Sequence, residues 1–319
     1  MTIKKVISNM LKNCMALKPF ESLLVITDKK ELGIGRLFLE EAQKITKNVL
    51  LIKIPVASVH GEEPSDEVAR EMLKYDVILM PTTKSLSHTT ARKFATEHGA
   101  RIASMPGVNL DMIKRSFRAD YKKITERTSK IENAIRNAQI VKITTKKGTD
   151  ITVKPNIKLE CRDQGLYCNK GDWGNLPAGE MCFLPLENYT NGVFVVDAAM
   201  AGLKKELVKS PIKITVKDGY AITIEGKKEA VELKKLLKGF NDLRVYNIAE
   251  VGIGTNDKAR VTGNVLEDEK VLGTVHIALG NNISYKGTVD APCHLDGVFK
   301  KPTIFTDSKM IMKDGMLKI

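Results

Sequence analysis

The chain has 319 residues, 43% of them hydrophobic, which is enough apolar material for full cores and suggests two domains of ordinary size. No uncharged apolar run approaches the roughly 18 residues of a membrane span, and Met1 to Phe20 lacks the long apolar stretch and small-residue cleavage site of a signal peptide. The net charge is +13, but the lysines are spread along the chain, aromatics are only 5% and no basic run is interleaved with aromatic residues, so the charge argues against a nucleic-acid binder and fits a thermophile composition.

Residues Met1 to Lys18 read as an amphipathic helix, with Ile3, Val6, Ile7, Met10, Leu11 and Cys14 at helical spacing, ended by Pro19. Ser22 to Thr27 is a short apolar run of the kind buried in parallel sheets. Asp28 is expected to cap a helix over Leu32 to Ile45. Gly33-Ile34-Gly35 has no third glycine at the spacing of a dinucleotide fingerprint, so it reads as a turn and helix start. Strands are expected at Asn48–Ile54, Asp76–Met80 and Arg101–Met105. Helices are expected from Ser65 to near Tyr75 and from Thr89 to His98, the latter closed by Gly99. His60, His88 and His98 read as surface residues, His88 as a possible cap of its helix. This β-α alternation predicts a doubly wound parallel sheet of Rossmann or flavodoxin-like type.

A lysine- and arginine-rich helical pattern runs from Asn109 to Ala138, and the composition changes near Asn137. We therefore expect an α/β domain over 1–137 and a β-rich metal-binding domain over 138–319. Hairpins are predicted at Val141–Val153, with Lys147-Gly148 as the turn, and at Ile212–Ile224, with Asp218-Gly219 as the turn. Lys227–Lys238 reads as a helix, and Lys313-Asp314-Gly315 as a final hairpin turn. The five cysteines are odd in number and widely spaced, with no C-x-x-C; this fits free thiols in a reducing cytoplasm.

Glu269 to Asp296 carries the chemistry. Two of only five histidines, His276 and His294, lie here. His294 and Asp296 are two apart, so in an extended segment they point to one side. Val275, Ile277 and Leu279 form an apolar strand face, which turns His276 the other way, beside the small Ala278. Two imidazoles and a carboxylate on neighbouring strands can begin a metal site, and a strand histidine can equally be a satisfied core residue. Glu180 and Glu250 stand out as acids in apolar stretches among small residues, where burial is costly without a partner or a metal.

Four motifs together, N-L-P-A-G-E (Asn175–Glu180), A-E-x-G-I-G-T-N (Ala249–Asn256), D-E-K-x-x-G-T-V-H-I-A-L-G (Asp268–Gly280) and H-L-D (His294–Asp296), resemble the M29 aminopeptidases, the aminopeptidase T and S group of metallopeptidases. The likeness is greatest to their short archaeal and bacterial members labelled leucyl aminopeptidase. It runs over nearly the whole chain and includes Ala100–Gly107. It implies a two-metal site with Glu180, Glu250, His276, His294 and Asp296 as ligands, two ions of Zn, Co or Mn about 3.5–4 Å apart, and a catalytic tyrosine, for which Tyr285 is the nearest candidate. Two departures stand against the pattern: Gly179 replaces the first of two consecutive acids, and Tyr285 is spaced slightly differently.

The expected function is a metalloaminopeptidase, a hydrolase taking N-terminal residues from peptides. The alternative is a mononuclear Fe(II) ring-cleaving dioxygenase, because a dihydroxypyridine dioxygenase group resembles the same superfamily; His276, His294 and Asp296 would then form a 2-His-1-carboxylate triad. A third possibility is a non-catalytic binding protein on the same fold. The expected partners are a peptide or small-molecule substrate and a second copy of the chain in a homodimer, with no nucleic acid and no membrane.

Overall fold

The computed structural model describes the backbone of residues 1–319 and all side chains except those of 157–161 and 284. The chain divides into two compact units, residues 1–121 with 165–178, and residues 122–164 with 179–319. The first change of unit falls at residues 121–122, before the boundary expected near Asn137, and a short segment, 165–178, returns to the first unit to add a strand.

The first unit runs α1 (Ile3–Asn13), β1 (Leu23–Asp28), α2 (Leu32–Ala42), β2 (Val49–Ile54), α3 (Asp66–Met72), β3 (Val77–Met80), α4 (Thr90–Glu97), β4 (Arg101–Ser104) and α5 (Leu110–Arg115). α1 buries Val6, Ile7, Met10 and Leu11 along one face, and the Thr2 hydroxyl accepts from the Lys5 amide to cap it. β1, β3 and β4 are buried at every position, as expected for strands covered on both faces. Asp28 departs from its expected role. Its carboxylate accepts from the Lys30, Glu31 and Thr83 amides, and α2 starts without a side-chain cap. The α4 cap is Thr89, whose hydroxyl accepts from the Arg92 amide; His88 does not cap the helix.

The single helix expected over Asn109–Ala138 is broken. α5 ends in one 3-10 turn at Ser116–Arg118, and Ala119 then adopts an extended ψ of 151°. The pattern resumes in α6 (Tyr121–Arg136), which leads into β5 (Val141–Thr144), β6 (Asp150–Val153) and β7 (Pro155–Asp163). The chain then returns to the first unit for β8 (Trp173–Asn175), completing a parallel sheet of order β2-β1-β3-β4-β8.

The second unit continues with β9 (Glu180–Pro185), β10 (Asn191–Val196), β11 (Ala199–Met200), β12 (Ile212–Lys217), β13 (Tyr220–Gly226), α7 (Lys228–Gly239), β14 (Ile248–Gly254), α8 (Val265–Asp268), β15 (Thr274–Gly280), β16 (His294–Lys300), β17 (Thr303–Thr306), β18 (Lys309–Lys313) and β19 (Met316–Leu317). It holds two antiparallel sheets, of order β13-β12-β10-β6-β5-β17-β18-β19 and β11-β16-β15-β14-β9-β7. The β12–β13 turn has positive φ at both Asp218 (48°) and Gly219 (78°), the geometry that matches strand twist in a two-residue hairpin. One core joins Val141, Ile143, Phe194 and Ile214 from the first of these sheets to Phe183, Val251, Ile253, Ile277 and Phe299 from the second. The architecture is thus an α/β parallel-sheet unit with a β-rich unit. Among the described residues no helix is long and apolar enough to cross a membrane.

The expectation of free thiols fails in part. Cys182 is disulfide-bonded, while Cys14, Cys168 and Cys293 are free. The strand register sets Cys182 of β9 opposite Cys161 of β7; the Cys161 side chain lies outside the described residues. A disulfide without a C-x-x-C spacing leaves no local mark in the sequence.

Candidate metal centre

The six-stranded sheet has two unlike faces. Val251, Ile253, Val275, Ile277, Leu279 and Leu295 turn into the apolar core. Directly paired residues in an antiparallel ladder share a face, so the register reads off the other side. Gly254 pairs with Glu180 and Gly252 with Cys182. Gly252 also pairs with His276, and Glu250 with Ala278. Ala278 pairs with Asp296 and Gly280 with His294. Glu180, Glu250, His276, His294 and Asp296 therefore lie on one face of four adjacent strands, separated by glycine and alanine. A register irregularity between Ile248 and Glu250 sets Glu250 on this face.

The side chains converge. His276 Nε2 lies 3.6 Å from Glu180 Oε2 and 3.6 Å from Glu250 Oε1. His294 Nε2 lies 3.2 Å from Glu250 Oε2 and 3.6 Å from Asp296 Oδ1. Two groups have ligand atoms within 4.8 Å of one another, the spacing a metal ion needs: Glu250, His294 and Asp296, and Glu180, Glu269 and His276. His294 Nδ1 donates to the Asn281 carbonyl at 2.7 Å, so Nε2 is the nitrogen that faces the carboxylates. An outer partner of this kind is what fixes the tautomer of a ligating histidine. His276 is 1% exposed. A Cβ at Gly252 would overlap its imidazole, so the glycine provides the seat for the ring.

Charge binds the cluster. Burial alone would raise Glu250, but hydrogen bonds and charge from His276 and His294 hold it well below the usual carboxylate range. Burial alone would lower His276; Glu250, Glu180 and Asp296 overcome it and raise it to about 9. His294 is raised likewise by Asp296 and Glu250 against the cost of burial. Burial, then the carboxylates of Glu250, Glu180 and Asp296, hold the Tyr285 phenol protonated well above its ordinary range. Tyr285 sits on a 3-10 turn with its ring centroid 5.8 Å from that of His294.

The donors present suit a divalent ion. They are imidazole nitrogens and carboxylate oxygens, the set used for iron-type and other borderline ions. Glu180 Oε2 is buried with no hydrogen-bond partner, a state that costs free energy unless a cation or a ligand meets it. Cys293 is in neither group; it packs against the apolar core on the other side of the sheet. The expected ligands did not include Glu269, Lys270 and Asp163. Lys270 is fully buried and its Nζ meets Glu180, Glu269 and Asp163 at 2.6, 2.7 and 3.4 Å. No local signal marked Lys270, since it ends a run of four charged residues, Glu267–Lys270, of the kind usually found on the surface.

The geometry also explains the departure at Gly179. Its φ is +130°, and a Cβ there would lie 2.7 Å from the Asn256 Cβ, so an acid at this position is disfavoured by backbone conformation as well as by space.

A family described as NicX: 2,5-dihydroxypyridine 5,6-dioxygenase matches residues 4–319. The chain belongs to this family. A 2,5-dihydroxypyridine 5,6-dioxygenase of Pseudomonas putida KT2440 is 26% identical over 194 residues, 58% of this chain and 55% of that protein. The match thus spans about half the length of this curated relative. The solved structure of the 2,5-dihydroxypyridine dioxygenase from Pseudomonas putida KT2440 superposes with a TM-score of 0.84 at 20% identity, covering 99% of this chain and 96% of that one. Wild-type AmpT from Thermus thermophilus superposes with a TM-score of 0.70 at 14% identity, covering 99% of both chains.

Membership of the NicX family overturns the expected metalloaminopeptidase. The match points to a dioxygenase, an oxidoreductase, and away from a hydrolase or metalloprotease. What remains of the peptidase resemblance is a fold shared with AmpT. The quoted motifs bring Glu180, Glu250, His276, His294 and Asp296 to one sheet face; the acid missing at Gly179 is where the peptidase pattern breaks.

Proposed function

We propose that the chain is a metal-dependent ring-cleaving dioxygenase acting on a small hydroxylated aromatic ring of the dihydroxypyridine kind. The observation that carries this reading is that, in a chain of the NicX family, two imidazole Nε2 atoms meet one carboxylate, Glu250, at 3.6 and 3.2 Å on one sheet face, with Asp296 3.6 Å from the second of them. His276, His294 and Asp296 would hold one iron-type ion as a 2-His-1-carboxylate set, which leaves coordination positions open. Such an ion supplies the one-electron chemistry that reaction with dioxygen requires.

The chain's own residues do the rest. Asn281 keeps the His294 ring in the tautomer that offers Nε2. Glu250, fixed as an anion between the two imidazoles, holds both rings in place. Lys270 occupies Oε1 of Glu180, so Oε2 is the oxygen free to take the proton of a ring hydroxyl as the substrate docks. Tyr285, kept as a neutral phenol beside His294, is placed to donate a hydrogen bond to a substrate oxygen.

The test is dioxygen uptake by anaerobically iron-loaded protein on a panel of dihydroxypyridines and dihydroxybenzenes. One dioxygen consumed per ring lost, abolished in His276→Ala, supports the proposal. Uptake no faster than that of free iron across the panel removes it.

A further inference from the structure

The Glu180, Glu269 and His276 group has the spacing of a second metal site, yet a cation is already built into it. Lys270 is 0% exposed. It enters directly after α8 and Glu269, and its backbone is pinned by two hydrogen bonds, its amide to the Glu267 carbonyl and its carbonyl from the Asn256 amide. Its Nζ meets Glu180 Oε1 at 2.6 Å and Glu269 Oε1 at 2.7 Å, with Asp163 Oδ2 at 3.4 Å. Asp163 and Glu180 face each other in the β7–β9 register, so the three carboxylates come from three separate segments to one ammonium.

We infer that Lys270 is a resident cation that takes the place of a second metal ion and limits this sheet face to one exchangeable ion. A dication bound by Glu180 and Glu269 would share both carboxylates with an ammonium a few ångströms away, and repulsion at that range in a dry site is large. Burying a lysine is itself costly and is tolerated only with close, multiple partners. Lys270 has three. The ammonium leaves Glu180 Oε2 turned toward His276 while occupying Oε1, so Glu180 can border the single ion's site without bringing a second ion. One ion with open positions suits dioxygen chemistry, whereas a pair of ions suits water activation.

The inference rests on the single-ion reading above, and the two fail separately. Metal-free full-length protein is titrated with Mn(II), and bound ion is counted from the loss of the free-ion paramagnetic resonance signal. Wild type is expected to take one ion per chain, Lys270→Arg one, and Lys270→Ala two. The double variant Lys270→Met with Glu180→Gln, which removes one charge of each sign, is expected to fold and take one. Two ions in wild type, or one ion in a folded Lys270→Ala, overturns the inference and leaves the function standing. No ion in wild type removes the function reading. Should Lys270→Ala fail to fold, Lys270→Gln, which keeps a hydrogen-bond donor without the charge, decides: two ions support the inference, and one ion or failure to fold overturns it.

Discussion

Gly252 and His276 face each other across β14 and β15, and the imidazole lies where a side chain on Gly252 would be. The smallest residue therefore sets the position of one proposed ligand. Gly252→Ala should displace the ring and lower divalent-ion affinity by about 10–100-fold, the range seen when a ligand's support is lost, with about 1–3 kcal/mol of destabilisation from overpacking. Gly33→Ala is the control. Nothing lies within 4 Å of a Cβ there, so it should raise stability by up to about 1 kcal/mol through helix propensity and leave metal affinity unchanged. Equal metal affinity in Gly252→Ala and wild type, measured by calorimetric titration, would show that the ring is not seated this way.

Strand alternation made much of this face legible. Val275, Ile277 and Leu279 turned inward in the pattern, and His276 beside Ala278 turned outward, as it does in the fold. The β-α order of the first unit was equally plain, because β1 opens with the apolar run Leu23–Ile26 and β3 is apolar throughout. What stayed hidden depends on contacts distant in sequence. Lys270 meets Asp163 and Glu180 only through strand pairing, the bonded state of Cys182 has no local mark, and the return of β8 to the first unit has no compositional mark. The break at Ala119 was masked because helical spacing continues on both sides of it.

Gly179 gives a test of the peptidase departure. At φ +130° with Asn256 close by, Gly179→Glu should cost about 1–3 kcal/mol in chemical denaturation and give no hydrolysis of free-amine dipeptides. A stable Gly179→Glu protein that cleaves them would revive the hydrolytic reading.

The imidazoles predict how stability changes with pH. His276 is raised from 6.5 to about 9 in the folded chain. The folded state thus holds this proton more tightly than the unfolded state, so the extra stability is fully present below about pH 6.5 and is lost as pH rises through about 9. The denaturation midpoint of metal-free protein should fall across that window, with Glu250 charged throughout. Divalent ions should oppose the fall, since binding requires the neutral imidazole and strengthens as protons leave. A metal-free midpoint that climbs between pH 6.5 and 9 would contradict this assignment.

His276→Ala and His294→Ala should each abolish stoichiometric metal binding while the first unit keeps its hydrogen-exchange protection, because its own core holds the parallel sheet. Cys293→Ser should keep full metal content, since Cys293 packs against the apolar core. Metal retained in both histidine variants, or lost in Cys293→Ser, would mean that the wrong face has been assigned.

The central claim is dioxygen chemistry, and isotope labelling separates it most directly from hydrolysis. Iron-loaded protein is given a dihydroxypyridine substrate under ¹⁸O₂ in ordinary water, and the product is weighed by mass spectrometry. The account predicts ring-opened product carrying both atoms of the labelled dioxygen. Product whose new oxygen comes only from water would contradict it.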